Sequence, residues 1–162
     1  MTRLSAMLAG IEGAIHAPAP QREVAAILAA YANCPDLLRD ERLPAPTDRY
    51  ARHCLADCPQ AGFAVAALIW EPGQMSRVHS HRAWCALAVH VGVLTEMFYQ
   101  IEPDPEPCGC ALRRAGDISY APAGLVGAHR IANLGTRPAI SIHVYGTEFA
   151  NFAGGLNVIH AA

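Results

Sequence analysis

The chain is organised around one segment, Gly73-Gln-Met-Ser-Arg-Val-His79-Ser-His81-Arg-Ala-Trp-Cys85-Ala-Leu-Ala-Val-His-Val-Gly92. His79 and His81 are one residue apart, and side chains alternate between the two faces of a strand, so both imidazoles are expected on the same face. Neutral imidazole is the commonest side-chain metal ligand. A surface strand with two exposed histidines would carry the same pattern, so the flanking residues have to distinguish a metal site from a surface strand.

The flanking residues form a pattern in two parts. The first part is glycine, five residues, His-x-His, three residues, cysteine, six residues and glycine, at Gly73, His79, His81, Cys85 and Gly92. The second part consists of Gly116, Pro122, Gly124, His129 and Asn133. Together they resemble the paired motifs of the cupin superfamily, whose double-stranded β-helix forms a small barrel. Cys85 stands where that pattern expects an acidic ligand. With His129 as a third histidine, the chain offers three neutral nitrogen ligands, which suit a redox metal that also binds substrate at open positions.

The composition indicates one soluble globular domain. With 162 residues, of which 52% are apolar and 16% charged, the chain can bury a core as a single domain over 1–162. Twelve basic and fourteen acidic residues give a formal charge of −2, which offers no electrostatic case for binding nucleic acid or an anionic membrane. No apolar run approaches the ~20 residues of a membrane-spanning helix, and we read residues 1–10 as a mature helix rather than a targeting segment. We therefore expect a cytoplasmic protein that is a monomer or a small homo-oligomer.

The chain divides near residue 46 into a helical N-terminal segment, 1–46, and a β-barrel, 47–162. Apolar residues with helical spacing predict helices over 3–16 and 21–33 and a short third helix over 35–41. The predicted strands are 50–55, 63–70, 79–90, 93–101, 111–114, 118–120, 128–131 and 139–145, with a Pro-rich loop at 102–109 and an edge strand within 154–160. Short strands separated by turns indicate a barrel or a sandwich, so the predicted class is mainly β.

Six cysteines stand at positions 34, 54, 58, 85, 108 and 110. The pairs 54/58 and 108/110 would suffice in number for a zinc site, but their spacing is poor and the second pair lies in the Pro-rich loop. We therefore predict reduced thiols without a structural role, with Cys85 as the exception.

The predicted strand 139–145 carries Ser141, His143 and Tyr145 in strict alternation with apolar residues, so these three side chains should share one face. Polar groups inside a small barrel need partners, because unpaired buried polar groups are costly. The three side chains can form a structural hydrogen-bond chain, or a relay that orients the phenol of Tyr145 towards a metal site.

Segments between residues 47 and 145 resemble the cysteine dioxygenase (thiol dioxygenase) family of cupins. The segments that carry the resemblance are Tyr50-Ala-Arg52, Trp70-Glu-Pro-Gly73, His79-Ser-His81, Cys85, Gly92-Val-Leu94-Thr-Glu96, Gly127-Ala-His129-Arg-Ile-Ala-Asn133 and Ser141-Ile-His143-Val-Tyr145. The resemblance implies a mononuclear iron(II) held by His79, His81 and His129. It also implies the oxidation of a small thiol to a sulfinic acid, with both oxygen atoms taken from dioxygen.

The same resemblance implies a role for the serine–histidine–tyrosine strand. In that family the strand forms an outer-sphere triad, matched here by Ser141, His143 and Tyr145. The tyrosine can be joined to a cysteine next to the iron by a thioether crosslink, and the matching residues are Tyr145 and Cys85. Three residues separate His81 from Cys85, one fewer than in the crosslinked mammalian-type enzymes, so the crosslink stays open.

Arg52 matches the arginine that binds the substrate carboxylate in this family, and Tyr50 lies at the position that lines the same pocket. A guanidinium is the natural fork for a carboxylate. Arg52 favours L-cysteine as substrate. The segment around Trp84, after the His-x-His pair, resembles the bacterial 3-mercaptopropionate dioxygenases. Either 3-mercaptopropionate or mercaptosuccinate is therefore a second possible substrate. The sequence is also compatible with a cupin dioxygenase that has a carbon substrate, and with a cupin that binds metal without turnover.

Two further polar residues near the motif are predicted to lie outside the ligand set. His90 follows Cys85 at an odd separation on the same predicted strand, so it should face away from that cysteine. Glu96 is expected to be structural rather than a ligand.

Overall fold

The structure is a computed structural model that describes residues 2–161. Two helices come first, α1 Arg3–Ala14 and α2 Pro20–Ala32. Ten strands follow: β1 Ala51–Cys58, β2 Phe63–Trp70, β3 His79–His81, β4 Cys85–Val91, β5 Val93–Gln100, β6 Glu106–Arg114, β7 Ile118–Ala121, β8 Gly124–Ala132, β9 Ala139–Tyr145 and β10 Asn157–Ile159. A 3₁₀ helix, Phe149–Ala153, lies between β9 and β10.

The strands form two five-stranded antiparallel sheets that enclose a common core. The first sheet has the order β1-β2-β9-β4-β7, and the second has the order β10-β3-β8-β5-β6. From β2 to β5 the chain passes from the first sheet to the second, back to the first and again to the second, which winds it as a double-stranded β-helix. The predicted mainly β class, with a cupin barrel and an N-terminal helical segment, is confirmed.

The central strands β2, β9 and β4 of the first sheet are buried on both faces, which explains the uninterrupted apolar run of β2. All eight residues of β2 are buried. Val65 and Ala67 pack against the helices, where Leu28 of α2 is buried, whereas Ala66 and Leu68 face the interior of the barrel. The helices therefore cover the outer face of this sheet, and its inner face lines the barrel.

The hairpin of β4 and β5 turns at Gly92. This glycine has a φ angle of 79°, and a Cβ atom there would lie 2.9 Å from the carbonyl oxygen of Pro138. Any other residue would be strained by the positive φ angle and would also meet the neighbouring backbone. The glycine predicted to join the two strands is required for both reasons.

The predicted strand 79–90 is wrong in one respect, because it is two strands, β3 and β4, in different sheets. The chain crosses between the sheets over residues 82–84. There the N–H of Arg82 donates to the carbonyl oxygen of Leu156 at 2.9 Å, and the carbonyl oxygen of Trp84 accepts from the N–H of Gly146 at 3.0 Å. These backbone groups bond to the C-terminal part of the chain instead of continuing one ladder.

Two other element predictions are also wrong. The predicted loop 102–109 includes the start of β6, so Cys108 and Cys110 lie on a strand. That strand is the edge of the second sheet, where the missing N–H of Pro107 is tolerated. Residues 35–41 form successive turns with hydrogen bonds between residues three apart, rather than a third helix.

The C-terminal segment supplies the predicted edge strand. β10 pairs antiparallel with β3, and its residues Asn157 and Ile159 lie opposite His81 and His79. The end of the chain is therefore anchored to the strand that carries the His-x-His pair. No helix within residues 2–161 is long and apolar enough to span a membrane.

Candidate metal centre

Two neighbouring strands of the second sheet bring the three histidines together. His79 and His81 lie on β3, and His129 on β8 is the register partner of His79. The centroid of the His79 ring is 4.8 Å from those of both other rings, and the rings of His81 and His129 are 5.3 Å apart. One potential ligand atom from each histidine lies within 4.8 Å of the other two. All three side chains are buried.

The hydrogen bonds of these histidines leave their Nε2 atoms available. Nδ1 of His79 donates to the carbonyl oxygen of Arg77 at 2.8 Å, and Nδ1 of His129 donates to Oε1 of Glu96 at 2.8 Å. Among residues 2–161, Nε2 of His81 and Nε2 of His129 are buried without any hydrogen-bond partner. Unpartnered buried nitrogen atoms are costly, so a metal bound at this cluster fits the residues present.

Burial also keeps the imidazoles of His79 and His81 neutral. It lowers the pKa of His79 to about 3, and the neighbouring His129 adds to that effect. Burial, followed by the other two histidines, lowers the pKa of His81 well below its usual value. An imidazole must be unprotonated to bind a metal, so at neutral pH His79 and His81 are in the ligand form.

Glu96, predicted to be structural rather than a ligand, lies one hydrogen bond behind the histidine cluster. Its side chain is 1% exposed. Besides His129, it accepts a hydrogen bond from Ser119 at 2.9 Å and two from the guanidinium of Arg113 at 2.8 Å. Burial opposes ionisation, but these donors lower the pKa of the Glu96 carboxyl. The carboxylate thereby holds the ring of His129, as outer-shell partners of metal ligands commonly do.

The three polar side chains of β9 form a buried hydrogen-bond chain that continues to Trp70. Nε1 of Trp70 donates to Oγ of Ser141 at 2.9 Å, Oγ of Ser141 lies 2.8 Å from Nε2 of His143, and Nδ1 of His143 lies 3.0 Å from the hydroxyl of Tyr145. No role in this hydrogen-bond chain was predicted for Trp70, although the residue begins the Trp-Glu-Pro-Gly segment.

The direction of this chain follows from its donors. The indole N–H of Trp70 can only donate, so the hydroxyl hydrogen of Ser141 needs another acceptor. Among the described residues His143 Nε2 provides it, which leaves the hydrogen of His143 on Nδ1, facing Tyr145. Burial lowers the pKa of His143 and raises that of Tyr145, so both are neutral near pH 7 and the phenol can donate its own hydrogen further.

Cys85 and Tyr145 are register partners on the neighbouring strands β4 and β9. Both are buried, and the ring of Tyr145 lies 5.2 Å from that of His81. Burial raises the pKa of the Cys85 thiol, and the charge of Glu96 adds to the shift. All six cysteines are free thiols. Cys85 is the one that lines a cavity together with His81 and His129.

Arg52 and Tyr50 lie on the side of the cluster where His79 is found. The guanidinium of Arg52 donates to the hydroxyl of Tyr50 at 2.8 Å and to the backbone carbonyl oxygen of Phe152 at 2.7 Å. The ring of Tyr50 stacks on Trp70 with centroids 4.3 Å apart. A cavity of about 10 Å³ here is lined by Tyr50, Arg52, His79, His143, Tyr145 and Phe152, among others.

Phe152, from the C-terminal segment, is a site residue that sequence reasoning missed. Its ring packs edge-on against Tyr145, with centroids 4.8 Å apart. Its backbone carbonyl oxygen accepts a hydrogen bond from the guanidinium of Arg52. Neither contact leaves a local pattern in the sequence, because about 100 residues separate Phe152 from Arg52. The two aromatic residues of the C-terminal segment, Phe149 and Phe152, are the one sequence signal that could have indicated a buried contact there.

A larger cavity, of about 130 Å³, lies on the opposite side of the cluster. His81, Cys85 and His129 contribute to its wall, and Arg52 and Tyr145 do not. The histidine cluster thus separates two cavities of different size and lining.

Known proteins place these features in a family. The model of the cysteine dioxygenase type I family matches residues 15–153. Cysteine dioxygenase type 1 from Danio rerio is 30% identical over an alignment of 108 residues, and the alignment covers 62% of this chain and 53% of that protein. The chain therefore spans about half the length of this curated relative.

Solved structures share the fold. An uncharacterised conserved protein with a double-stranded β-helix domain from Klebsiella pneumoniae superimposes with a TM-score of 0.57 at 20% identity, over 76% of this chain and 94% of that chain. A variant of oxalate decarboxylase from Bacillus subtilis superimposes with a TM-score of 0.52 at 19% identity, over 67% of this chain and 28% of that chain. These identities show likeness of fold alone. The family match is broader, because it begins directly after α1, ends with the 3₁₀ helix and includes all three histidines. The chain therefore belongs to the cysteine dioxygenase type I family.

Proposed function

We propose that this protein is an iron(II)-dependent thiol dioxygenase that oxidises L-cysteine to cysteine sulfinic acid. The observation that supports this most strongly is the lining of the smaller cavity, where the guanidinium of Arg52 and the phenol of Tyr145 meet a histidine of the cluster. The reaction adds both atoms of dioxygen to the thiol, R–SH + O₂ → R–SO₂H. Sulfur loses four electrons, and the two oxygen atoms gain them.

His79, His81 and His129 would hold the iron through their imidazole nitrogens. Bound iron(II) would supply open coordination positions and the capacity to exchange electrons with a thiolate and dioxygen. The three ligands are neutral, so they leave the charge of the metal uncompensated and favour an anionic thiolate. Glu96 would orient His129 for this role through the hydrogen bond at Nδ1.

Arg52 is the proposed carboxylate clamp. Its planar guanidinium can bind a carboxylate through two parallel hydrogen bonds. In the structure one of its nitrogens is held by the Tyr50 hydroxyl and another by the Phe152 carbonyl oxygen. A substrate carboxylate would replace the weaker, uncharged carbonyl acceptor, while Tyr50 would keep the guanidinium in place.

Tyr145 is the proposed proton or hydrogen-bond donor. The chain from Trp70 through Ser141 and His143 leaves the phenolic hydrogen of Tyr145 for a further acceptor, and Tyr145 lines the smaller cavity. A donor held in place before the reaction costs no reorganisation when charge develops on oxygen. His143 would act as a positioning residue, because it bonds to the tyrosine rather than to the substrate.

We also propose that Cys85 and Tyr145 can be joined by a thioether bond. Their register positions on β4 and β9 support it. A bond between Sγ and the ring carbon beside the hydroxyl would release two hydrogen atoms, whose electrons and protons dioxygen would accept. Intact-protein mass spectrometry would detect the loss of two hydrogen atoms after exposure to iron(II), thiol and air. Unchanged mass after complete iron loading and turnover would contradict the crosslink.

A second candidate substrate is another small mercapto-carboxylate, 3-mercaptopropionate or mercaptosuccinate. The observation that favours it is that Arg52 offers a fork for any carboxylate, while no acidic side chain lines the smaller cavity to bind an amino group. Oxygen consumption and sulfinate formation should therefore be measured with iron(II)-loaded protein for L-cysteine, 3-mercaptopropionate, cysteamine and mercaptosuccinate.

The four thiols separate the hypotheses. Sulfinate from L-cysteine, with cysteamine inert, would support the cysteine reaction and the carboxylate clamp. Turnover of another mercapto-carboxylate alone would keep the chemistry and change the substrate. If protein with a full complement of iron consumes no oxygen with any thiol, the thiol dioxygenase proposal is wrong, and a cupin with a carbon substrate or without turnover remains.

A further inference from the structure

The cavity of about 130 Å³ on the far side of the histidine cluster has no role in the chemistry proposed above. It reaches the cluster at His81 and His129, the two histidines whose buried Nε2 atoms have no partner in residues 2–161. The smaller cavity instead reaches the cluster at His79 and carries Arg52. Each cavity therefore approaches the three histidines from its own side.

The wall of the larger cavity is mostly apolar. Beyond the cluster, its lining includes Leu87, Phe98, Ala121, Pro122 and Val126. It contains no lysine and no arginine, so nothing in the lining would attract the carboxylate of a thiol substrate.

Apart from the Nε2 atoms of His81 and His129, the polar groups of Glu96 and Ser119 in this wall are bonded to neighbouring side chains. Ser119 donates to Oε1 of Glu96, and Nδ1 of His129 donates to the same oxygen. Oε2 of Glu96 is held by Arg113. These internal bonds leave few sites for water. The negative charge of Glu96 would also repel an anionic substrate.

The volume and lining suit a small apolar molecule. Apolar cavities of roughly 150 Å³ stay dry and take up xenon or benzene. The outer lining residues Val126, 87% exposed, and Tyr120, 48% exposed, connect this cavity to the surface through an apolar mouth. Dioxygen is the small apolar reactant of the proposed reaction.

We infer that this cavity is the binding and entry site for dioxygen, separate from the entry of the thiol on the Arg52 side. The inference rests on the proposed function. Two entrances would let dioxygen reach the cluster at His81 and His129 after a carboxylate-bearing thiol has filled the side of His79. Filling the larger cavity should then weaken the use of dioxygen without weakening the use of thiol.

Xenon provides a test that needs no activity. Crystals of the protein, with and without metal, would be pressurised with xenon, and its positions located by anomalous scattering. We expect xenon between Leu87, Phe98 and Val126. Absence of xenon from this cavity, or xenon only beside Arg52, would overturn the inference.

Two substitutions test the entry route in the iron-loaded protein. Val126→Trp covers the mouth from an exposed position, where added bulk should not disturb folding, and Leu87→Phe fills the cavity from within. Both should raise the KM for dioxygen several-fold, with the KM for thiol and the iron content unchanged. Leu134→Trp is the matched control, because Leu134 is exposed and lies outside this cavity.

The outcomes distinguish this inference from the proposed function. If the KM for dioxygen is unchanged in a folded, active Val126→Trp protein, or rises equally in Leu134→Trp, dioxygen does not enter here. If the unsubstituted protein consumes no dioxygen with any thiol, the proposed function fails, whatever the xenon positions are. Xenon in the cavity, together with a rise in KM confined to the two cavity variants, would support the inference.

Discussion

The guanidinium of Arg52 already makes two hydrogen bonds, yet only the bond to Tyr50 comes from a side chain. Arg52→Ala should lower kcat/KM for a carboxylate-bearing thiol by about 10- to 100-fold, because a hydrogen bond to a charged group contributes about 1.5–3 kcal/mol. The loss should appear mainly as a higher KM, with iron content unchanged. Steady-state kinetics and metal analysis check this. Arg52→Lys, which keeps the charge without the fork, should lose less. Loss of iron, or unchanged kinetics, would contradict the clamp.

Glu96 acts at the same scale but through a ligand. Glu96→Gln should weaken iron(II) binding by about 10- to 100-fold, the usual effect of removing an outer-shell partner of a histidine ligand. The amide lacks the negative charge of the carboxylate that Arg113 and His129 both contact. Its NH₂ group would also face hydrogen-bond donors instead of acceptors. Competition with a chelator of known affinity would measure the change. Glu106→Gln, the same substitution at an exposed position on β6, is the control and should leave affinity unaltered. Equal affinities in the two variants would show that Glu96 does not support the metal centre.

Sequence patterns found those residues that are close together along one strand. The alternation in Ser141-Ile-His143-Val-Tyr145 predicts three side chains on one face, and in the structure consecutive hydrogen bonds join them. The hydrogen bond from His129 to Glu96 was not predicted, because the residues around Glu96 are far apart along the chain. The partners of Glu96 come from β6, β7 and β8, and no spacing along the chain reports a contact between four strands.

At the scale of elements, the 3₁₀ helix Phe149–Ala153 limits the room beside Arg52. Phe152→Ala should enlarge the smaller cavity and shift the preference from L-cysteine towards the bulkier mercaptosuccinate. It should also destabilise the protein by about 3 kcal/mol, because a buried aromatic ring is lost. The ratio of the two kcat/KM values and a urea unfolding curve test both effects.

Phe149→Ala serves as the control for this element. Phe149 lies in the same 3₁₀ helix and packs against Phe152, but it does not line the cavity beside Arg52. Its loss should lower stability without changing the substrate ratio. If both alanine variants shift the ratio equally, the segment acts through its general order and not through the bulk of Phe152.

The bounds of elements followed from the sequence where one strand kept one environment. β2 and β9 begin and end at the residues predicted for them, because both are enclosed between helices and barrel and keep a regular pattern throughout. The crossing at residues 82–84 and the start of β6 were missed. The first depends on backbone bonds to distant residues, and the second on an edge position that tolerates proline.

At the scale of the whole molecule, buried neutral histidines make the metal-free protein sensitive to acid. His79, His81 and His143 have folded-state pKa values below their usual value, about 3 for His79. The unfolded chain therefore binds more protons than the folded chain at pH values below about 6.5. Stability should fall as the pH drops from about 6.5 towards 3, by about 1.4 kcal/mol per pH unit for each such histidine.

Urea unfolding of metal-free protein between pH 7 and pH 4 measures this dependence. Bound metal should raise the stability at every pH at which it stays bound, because it binds the unprotonated nitrogens of the folded protein. His16→Gln is the control, since His16 is exposed and its loss should leave the curve unchanged. A flat profile in the metal-free protein would contradict the assigned protonation states.

The class of the whole fold was within reach of the sequence, whereas the two cavities were not. Short strands, turns and the paired histidine motifs predicted a barrel of this kind. The size of each cavity depends on how Val126 packs in the larger one and Phe152 in the smaller one, and neither residue is itself a motif position. Shape at that level is a property of packing between distant parts of the chain.

Because β9 is buried on both faces, its two sets of alternating side chains have different roles. Ile142 and Val144 face the helices, and Ser141, His143 and Tyr145 face the histidines. Alternate residues of this seven-residue strand thus have separate roles: the apolar set stabilises the fold, and the polar set forms the candidate site. Because the two sets of residues alternate along one strand, substitutions in the polar set can change the chemistry of the site while the apolar set preserves the core.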